Sequence, residues 1–313
     1  MKAIEVDTLV KEYNNGIKAL DGLNFEVNCG EIFTLLGPNG AGKSSLINIL
    51  TTYHLPTSGS VFVLSKDLCK EANYIRSQIA CVAQNISIDF HLSLVENMLF
   101  QSRLYKIDKI TAKKRINLLI DSFKLGQYKR YPVASYSGGV KRRLDIAMNM
   151  ISFPKILFLD EPTVGMDIQS RKSMWEMMKK IRNDFGTTIF LTTHYLEEAE
   201  HLSDNICIIK DGHKLVKGSP RELSKYTHQK LIKIGFVDMK EAKKSLDFFC
   251  NKDYIESGYV KENSVFLNVN AEINSAFKII NQGLLDRNIS FVSTEILQPT
   301  LEDVFLYLTG STN

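Results

Sequence analysis

The chain has no stretch approaching the ~18 apolar residues needed to cross a bilayer, so a membrane role requires a second protein as the spanning partner. Its N-terminus, MKAIEVDTLVKEY, lacks an apolar core of signal-peptide length. None of the five cysteines (Cys29, Cys69, Cys81, Cys207, Cys250) falls in a Cys-x-x-Cys pair, which argues against a zinc site. The odd count fits a reducing cytosol rather than a disulfide framework. A formal net charge of +4 over 313 residues is slight, and nucleic acid is not expected as a partner. Internal repeats, low-complexity tracts and Asn-Lys-x-Asp, the guanine-reading string of GTPases, are also missing. The nearest approach to that string is Asn251-Lys252-Asp253-Tyr254, with tyrosine where the aspartate belongs.

What is present is alternation. EIFTLLG (31–37), IACVAQ (79–84), ILFLDEP (156–162) and TTIFLTT (187–193) read as buried strands, with helical stripes between several of them. One stripe runs Leu46, Ile49, Leu50 and Tyr53; another runs Met174, Met178, Ile181 and Phe185. This pattern predicts a parallel core sheet covered by helices. AIEVDTLVKEY and ALDGLNFEV predict an antiparallel patch before it, and residues 92–151 read as an inserted, wholly helical subdomain. A hairpin is expected around Asp211-Gly212. From about residue 229 the order becomes βαββαβα, that of a small ferredoxin-like α+β domain. We expect a first domain over 1–225, with its helical subdomain at about 90–151, and an accessory domain over 226–313.

The segment GPNGAGKSS, Gly37 to Ser45, fits G-x-x-x-x-G-K-[ST] between a strand and a helix. Gly37, Gly40 and Gly42 let backbone wrap a phosphate, with Pro38, Asn39 and Ala41 between them. The helix start supplies free N–H groups and a positive dipole end. Lys43 supplies charge for the β- and γ-phosphates, Ser44 a ligand for Mg²⁺, and Ser45 a further donor. Asp160 and Glu161 end a buried strand, where an aspartate holds Mg²⁺ and the next acid is a candidate general base. Pro162 is expected to keep Glu161 extended. The bland alternative is that two acids merely solubilise a strand end.

GPNGAGKSS, Gln84 in CVAQN, YSGGV (136–140), ILFLDEP, VGMD (164–167) and LTTH (191–194) occur in one order. That set resembles the nucleotide-binding subunit of an ABC transporter over residues 1 to about 220. YSGGVKRRLDIA and the ending PTLEDVFLYLTG are similar to the drug-resistance and lantibiotic-immunity branch of ABC-2-type exporters. The resemblance implies a P-loop ATPase using ATP and Mg²⁺, dimerising on ATP and driving export through a separate membrane permease. It would lie on the cytoplasmic face of the plasma membrane. A non-transport ABC ATPase of translation or DNA repair, or an importer ATPase, is the alternative. The family would use Tyr13 to stack on adenine and Gln84 to reach Mg²⁺ and water. Ser137, Gly138 and Gly139 would close over the γ-phosphate of the other subunit, Asp167 would join the two sites, and His194 would contact the γ-phosphate. Each has a duller reading: Tyr13 as packing, Gln84 as surface, Asp167 as a helix cap, His194 as a core histidine. Tyr136, Val140 and Met166 depart from the family pattern of Leu, Gln and Leu. Segment 85–105 is the expected permease dock, though some of Phe90, Leu94, Met98, Phe100 and Tyr105 must serve the subdomain core. The triplet Lys141-Arg142-Arg143 opposes the dipole of the helix it begins. It reads either as a field that strengthens anion binding at the helix start or as cations paired with neighbouring acids.

Overall fold

The structure is a computed structural model that describes residues 1–224, 230–250, 252–297 and 300–309. Strands β1 (Lys2–Glu12) and β2 (Lys18–Asn28) pair antiparallel as their alternation predicts. β3 (Ile32–Leu36) is buried at every position, the pattern of a strand covered on both faces. The glycine-rich loop follows, and then α1 (Lys43–Leu50). The expected stripe through Tyr53 fails at its last member. The helix stops at Leu50, Thr52 turns left-handed at φ 63°, and Tyr53 is 78% exposed. β4 (Ser58–Val63) and β5 (Lys66–Asp67) complete a four-stranded sheet ordered β2-β1-β4-β5. α2 (Ala72–Gln78) then leads to β6 (Ile79–Val82).

The helical insert holds α3 (Leu94–Leu104), α4 (Lys109–Ser122) and α5 (Gly138–Met150), with no strand in 92–151. Ser93 and Glu96 form a reciprocal capping box at α3, and Asp108 caps α4. The chain returns through β7 (Ile156–Asp160), α6 (Ile168–Phe185), β8 (Thr188–Thr193) and α7 (Leu196–Leu202). The hairpin β9 (Asn205–Lys210) and β10 (His213–Gly218) follows. Asp211 and Gly212 both take positive φ at its turn, as a tight right-twisted hairpin requires. The core sheet runs β10-β9-β3-β8-β7-β6, parallel except for that hairpin. Alternate residues of its central strands feed different cores. Phe33 stacks on both Phe25 and Phe190, and Phe158 lies tilted against Phe190, on the side of the antiparallel sheet. Leu157, Leu159, Ile189 and Leu191 pack with α5 and α6 on the other.

The chain divides into two compact units, Met1–Pro220 and Arg221–Asn313, at the start of the short α8 (Pro220–Leu223). The second unit contains β11 (Lys230–Gly235), α9 (Met239–Phe249), β12 (Ile255–Lys261), β13 (Ser264–Val269), α10 (Ile273–Asp286), β14 (Ser293–Leu297) and α11 (Leu301–Thr309). Its sheet is antiparallel and ordered β12-β13-β11-β14, the arrangement of a ferredoxin-like fold. Ile232, Ile234, Val265 and Leu267 face Phe249 and Ile280 in its own core. The expected domain junction at 225/226, and Pro299 and Gly310 of the closing motif, lie outside the described residues.

Candidate functional site

Two glycines of the loop between β3 and α1 are sterically required. A Cβ on Gly37 would run into the carbonyl oxygen of Ile209. One on Gly42, at φ +101°, would run into that of Ala19 and lie 2.8 Å from Leu20 Cδ2. Residues 39–45 of the loop line a cavity of about 730 Å³, within the range of small-molecule sites. Gln84, Asp160, Glu161 and His194 also line it, as do Ile17, Lys18, Ala19, Asp211 and Gly212. Gly37 and Pro38 do not line it. Their carbonyls instead accept hydrogen bonds from Lys43 Nζ, at 2.7 and 3.1 Å. Lys43 is only 6% exposed, and burial pulls its pKa down against the opposing pull of Glu161 and Asp160. Ser44 stands exposed at the cavity wall. Tyr13 does not line that cavity; its hydroxyl lies 3.0 Å from Ser45 Oγ and its ring is edge-on to His54.

Asp160 Oδ1 accepts from Thr192 Oγ1 at 2.6 Å. Glu161 is not extended. It takes φ +44°, a left-handed conformation of the kind that costs about 1–3 kcal/mol for a non-glycine residue. A following proline ordinarily pushes the residue before it into the extended region, so the left-handed turn at Glu161 is held against that local preference. Its N–H donates to Thr192 O and Thr192 Oγ1, at 3.2 and 3.1 Å, which fixes the turn. The side chain then faces the loop, with Oε1 3.6 Å from Lys43 Nζ and Oε2 3.2 Å from His194 Nδ1.

Ser137 precedes α5 at the cap position, yet its side chain makes no capping bond. Ser137 and Gly139 line a separate hollow of about 440 Å³ together with Asp167 and Ser170. Gly138 lines another, of about 380 Å³, beside Gln84 and Glu161. None of the three lines the cavity of the glycine-rich loop in the same chain. Asp167 is indeed a cap. It accepts from Ser170 N at 2.9 Å and Ser170 Oγ at 2.6 Å, bonds that lower its pKa. Tyr136 and Val140 are buried, and the Tyr136 hydroxyl donates to Tyr128 O at 2.6 Å. In segment 85–105, Leu94 and Met98 are fully buried, whereas Phe90 and Phe100 are about half exposed.

The basic triplet is not a uniform solvated face. Lys141 and Arg143 lie over the rings of Phe90 and Tyr128, but Arg142 is 3% exposed. It pairs with Asp145 at 3.4 Å and donates to backbone carbonyls. Sequence reasoning also missed Glu198 of α7. It is fully buried and accepts from Thr163 Oγ1 at 2.8 Å and Trp175 Nε1 at 3.2 Å, and burial raises its pKa. The only hint was an acid beside Ala199 on the inward face of a short amphipathic helix. Thr192, the first of two strand-end threonines, gave no signal beyond its place two residues before His194.

The sequence profile of the family described as ABC transporter matches residues 20–164. The daunorubicin/doxorubicin resistance ATP-binding protein DrrA of Streptomyces peucetius is 39% identical over 237 residues, 76% of this chain and 71% of that protein. The daunorubicin resistance ATP-binding protein DrrA3 of Streptomyces coeruleorubidus is 33% identical over 311 residues, 98% of this chain and 96% of that one. The chain belongs to the ABC transporter family, among its ATP-binding proteins. Nod factor export ATP-binding protein I of Rhizobium meliloti, another ABC protein, is 32% identical and covers 98% of this chain and 88% of its own length. Among solved ABC cassettes, cbiO1 from Clostridium perfringens, part of the cbiONQ complex, superposes with a TM-score of 0.67 at 27% identity. That match covers 71% of this chain and 90% of cbiO1. A cassette solved as a post-hydrolysis dimer with ADP and Pi gives 0.61 at 25% identity, covering 69% and 98%.

Proposed function

We propose that this ABC ATPase hydrolyses ATP to power export of a drug, peptide or other small molecule through a separate membrane permease. The observation that carries the hydrolytic part is the placement of Glu161. Its carboxylate enters the same cavity as the phosphate loop, between Lys43 and His194. ATP would lay its phosphates along residues 39–45. Lys43 would trade its contacts with Gly37 O and Pro38 O for phosphate oxygens. Glu161 would take a proton from the attacking water, and His194 would hold the γ-phosphate end. Tyr13 would meet the adenine beside Ser45.

The donors near the loop suit a hard cation: a serine hydroxyl at Ser44, the Asp160 carboxylate and the Gln84 amide. Among the described residues no cluster of three or more His, Cys, Asp or Glu exists to cage a metal. Mg²⁺ would therefore come with the nucleotide, completing its shell with phosphate and water, and would neutralise charge developing on the phosphates.

Ser137, Gly138 and Gly139 do not line the P-loop cavity of their own chain; Ser137 and Gly139 line a hollow that shares no residue with it. This separation supports a head-to-tail homodimer in which they close over the partner's nucleotide, with Asp167 near the junction. The dimer of the post-hydrolysis relative lends the same support. Among the described residues no helix is long and apolar enough to cross a membrane, which supports a permease on a separate chain. The half-exposed Phe90 and Phe100, with the exposed Leu104, form the proposed dock, at the cytoplasmic face of the plasma membrane. Drug-resistance and Nod-factor-export relatives support export over import, and the accessory unit 226–313 is proposed to serve dimer support or regulation. Export into inverted vesicles holding the chain and its permease tests the reading. Glu161→Gln should stop ATP-driven uptake, and uptake that persists would overturn it.

A further inference from the structure

Arg142, the fifth residue of α5, is buried, which ordinarily demands a paired and fully hydrogen-bonded environment. Asp145 supplies only part of that, at 3.4 Å through Oδ2. The rest is backbone. Nε donates to Pro162 O at 3.2 Å, Nη2 to Asp160 O at 3.1 Å, and Nη1 to Ala83 O, with Gln84 O at 3.5 Å. The carbonyls of residues 160 and 162 flank Glu161 on either side, and Glu161 is the residue held at φ +44°. Carbonyls 83 and 84 open the segment that runs on to Phe90. One rigid, planar fork therefore joins three pieces of chain: the helix that starts at Ser137, the residue before Gln84 with Gln84 itself, and both shoulders of Glu161.

We infer that Arg142 is a positioning residue for hydrolysis, fixing the left-handed turn that aims the Glu161 carboxylate at the phosphate loop and tying that turn to the signature helix and the Gln84 loop. The inference rests on the assignment of Glu161 as general base. The guanidinium's five N–H donors lie in a fixed plane, which lets one side chain bridge carbonyls from two strand ends. A lysine ammonium keeps the charge beside Asp145 but has no such fork. Thr192 holds Glu161 from the strand side through the Glu161 N–H, and Arg142 holds the adjoining carbonyls from the helix side. A movement of α5, such as closure over a second nucleotide, would reach the base through this side chain.

The experiment compares Arg142→Lys, Asp145→Asn and Glu161→Gln, each alone, and the Arg142→Lys/Glu161→Gln double variant, in the full-length chain. ATP affinity, melting temperature and ATPase parameters are read for each. Arg142→Lys should lower kcat by roughly 10²-fold, the scale of an ångström-sized misplacement of a reacting group, with ATP affinity within about threefold of the parent. In the Glu161→Gln background the same change should alter the residual rate by less than about threefold, because the residue it positions is already disabled. Asp145→Asn should keep kcat within about threefold, since the carbonyl contacts of Arg142 survive it. Should Arg142→Lys not fold, Asp145→Asn still decides: a kcat loss of roughly 10²-fold there would make the ion pair, not the carbonyl clamp, the operative contact, and would overturn the inference. Full additivity of Arg142→Lys with Glu161→Gln would overturn it too. An unaffected Glu161→Gln removes the general-base reading and this inference with it. A slow Glu161→Gln beside a fast Arg142→Lys overturns this inference alone.

Discussion

Replacing Glu161 by glutamine removes one negative charge and nothing else of consequence. The backbone turn survives, because it is held by the Glu161 N–H and by carbonyls that the substitution does not touch. Lys43 loses a partner at 3.6 Å but keeps both carbonyl acceptors of the loop. The fold should therefore melt almost as before. ATP should bind at least as well, because a carboxylate facing incoming phosphates has been neutralised. The chemical step loses its proton acceptor, which is worth roughly 10²–10⁴ in turnover, or about 3–5 kcal/mol of barrier. Steady-state ATPase assays give the rate, and equilibrium binding of a fluorescent ATP analogue gives the affinity. A variant with parental kcat, or one whose deficit lies entirely in ATP affinity, would refute the assignment of Glu161 as base.

Gly42→Ala should weaken ATP binding by tenfold or more and lower stability by about 1–3 kcal/mol, since φ +101° is strained for alanine and its Cβ meets the Ala19 carbonyl. Unchanged binding and melting would contradict the loop geometry. Burial raises the Asp145 carboxyl to about 6 from 3.8. A raised acid stabilises the fold most below its unfolded value, and that contribution is lost as pH climbs through the folded value. The stability of Asp145→Asn relative to the parent should therefore improve between about pH 4 and pH 6, as followed by denaturant titration, and a flat difference across that window would count against it.

Much of this architecture was legible in the sequence because local pattern and tertiary demand agree. Continuous apolar runs became buried strands, Asp211-Gly212 became the hairpin turn, and GPNGAGKSS lies between a strand and a helix as its glycines require. Legibility failed where a residue's surroundings come from distant chain. Nothing local tells that Arg142 finds carbonyls some 20 and 59 positions away, so its charge read as an anion-attracting field or as a cation paired with a neighbouring acid, of which only the Asp145 pair is part of the answer. Glu161 reads as extended because the following proline favours that region, and the hydrogen bonds to Thr192, which come from a distant strand, hold it left-handed instead. Tyr53 continued a helical stripe on paper, but the helix ends before reaching it. Tyr136 and Val140, departures from the family signature, are explained by packing: both side chains belong to the subdomain core.

The most direct test of a shared site uses two lesions in one dimer. Gly138 has open space where a side chain would go, so Gly138→Asp should leave the fold intact and place a carboxylate where the partner's γ-phosphate approaches. Lys43→Ala disables the phosphate loop. Each variant alone should be inactive, and neither should associate on ATP. In verified mixed dimers both lesions fall in one composite site, leaving the other with an intact loop from one chain and an intact signature from its partner. The account predicts that ATP-dependent association and partial ATP hydrolysis return on mixing. If Ser137–Gly139 served the loop of their own chain, every site in the mixture would carry a lesion, and the absence of any recovery would contradict the account.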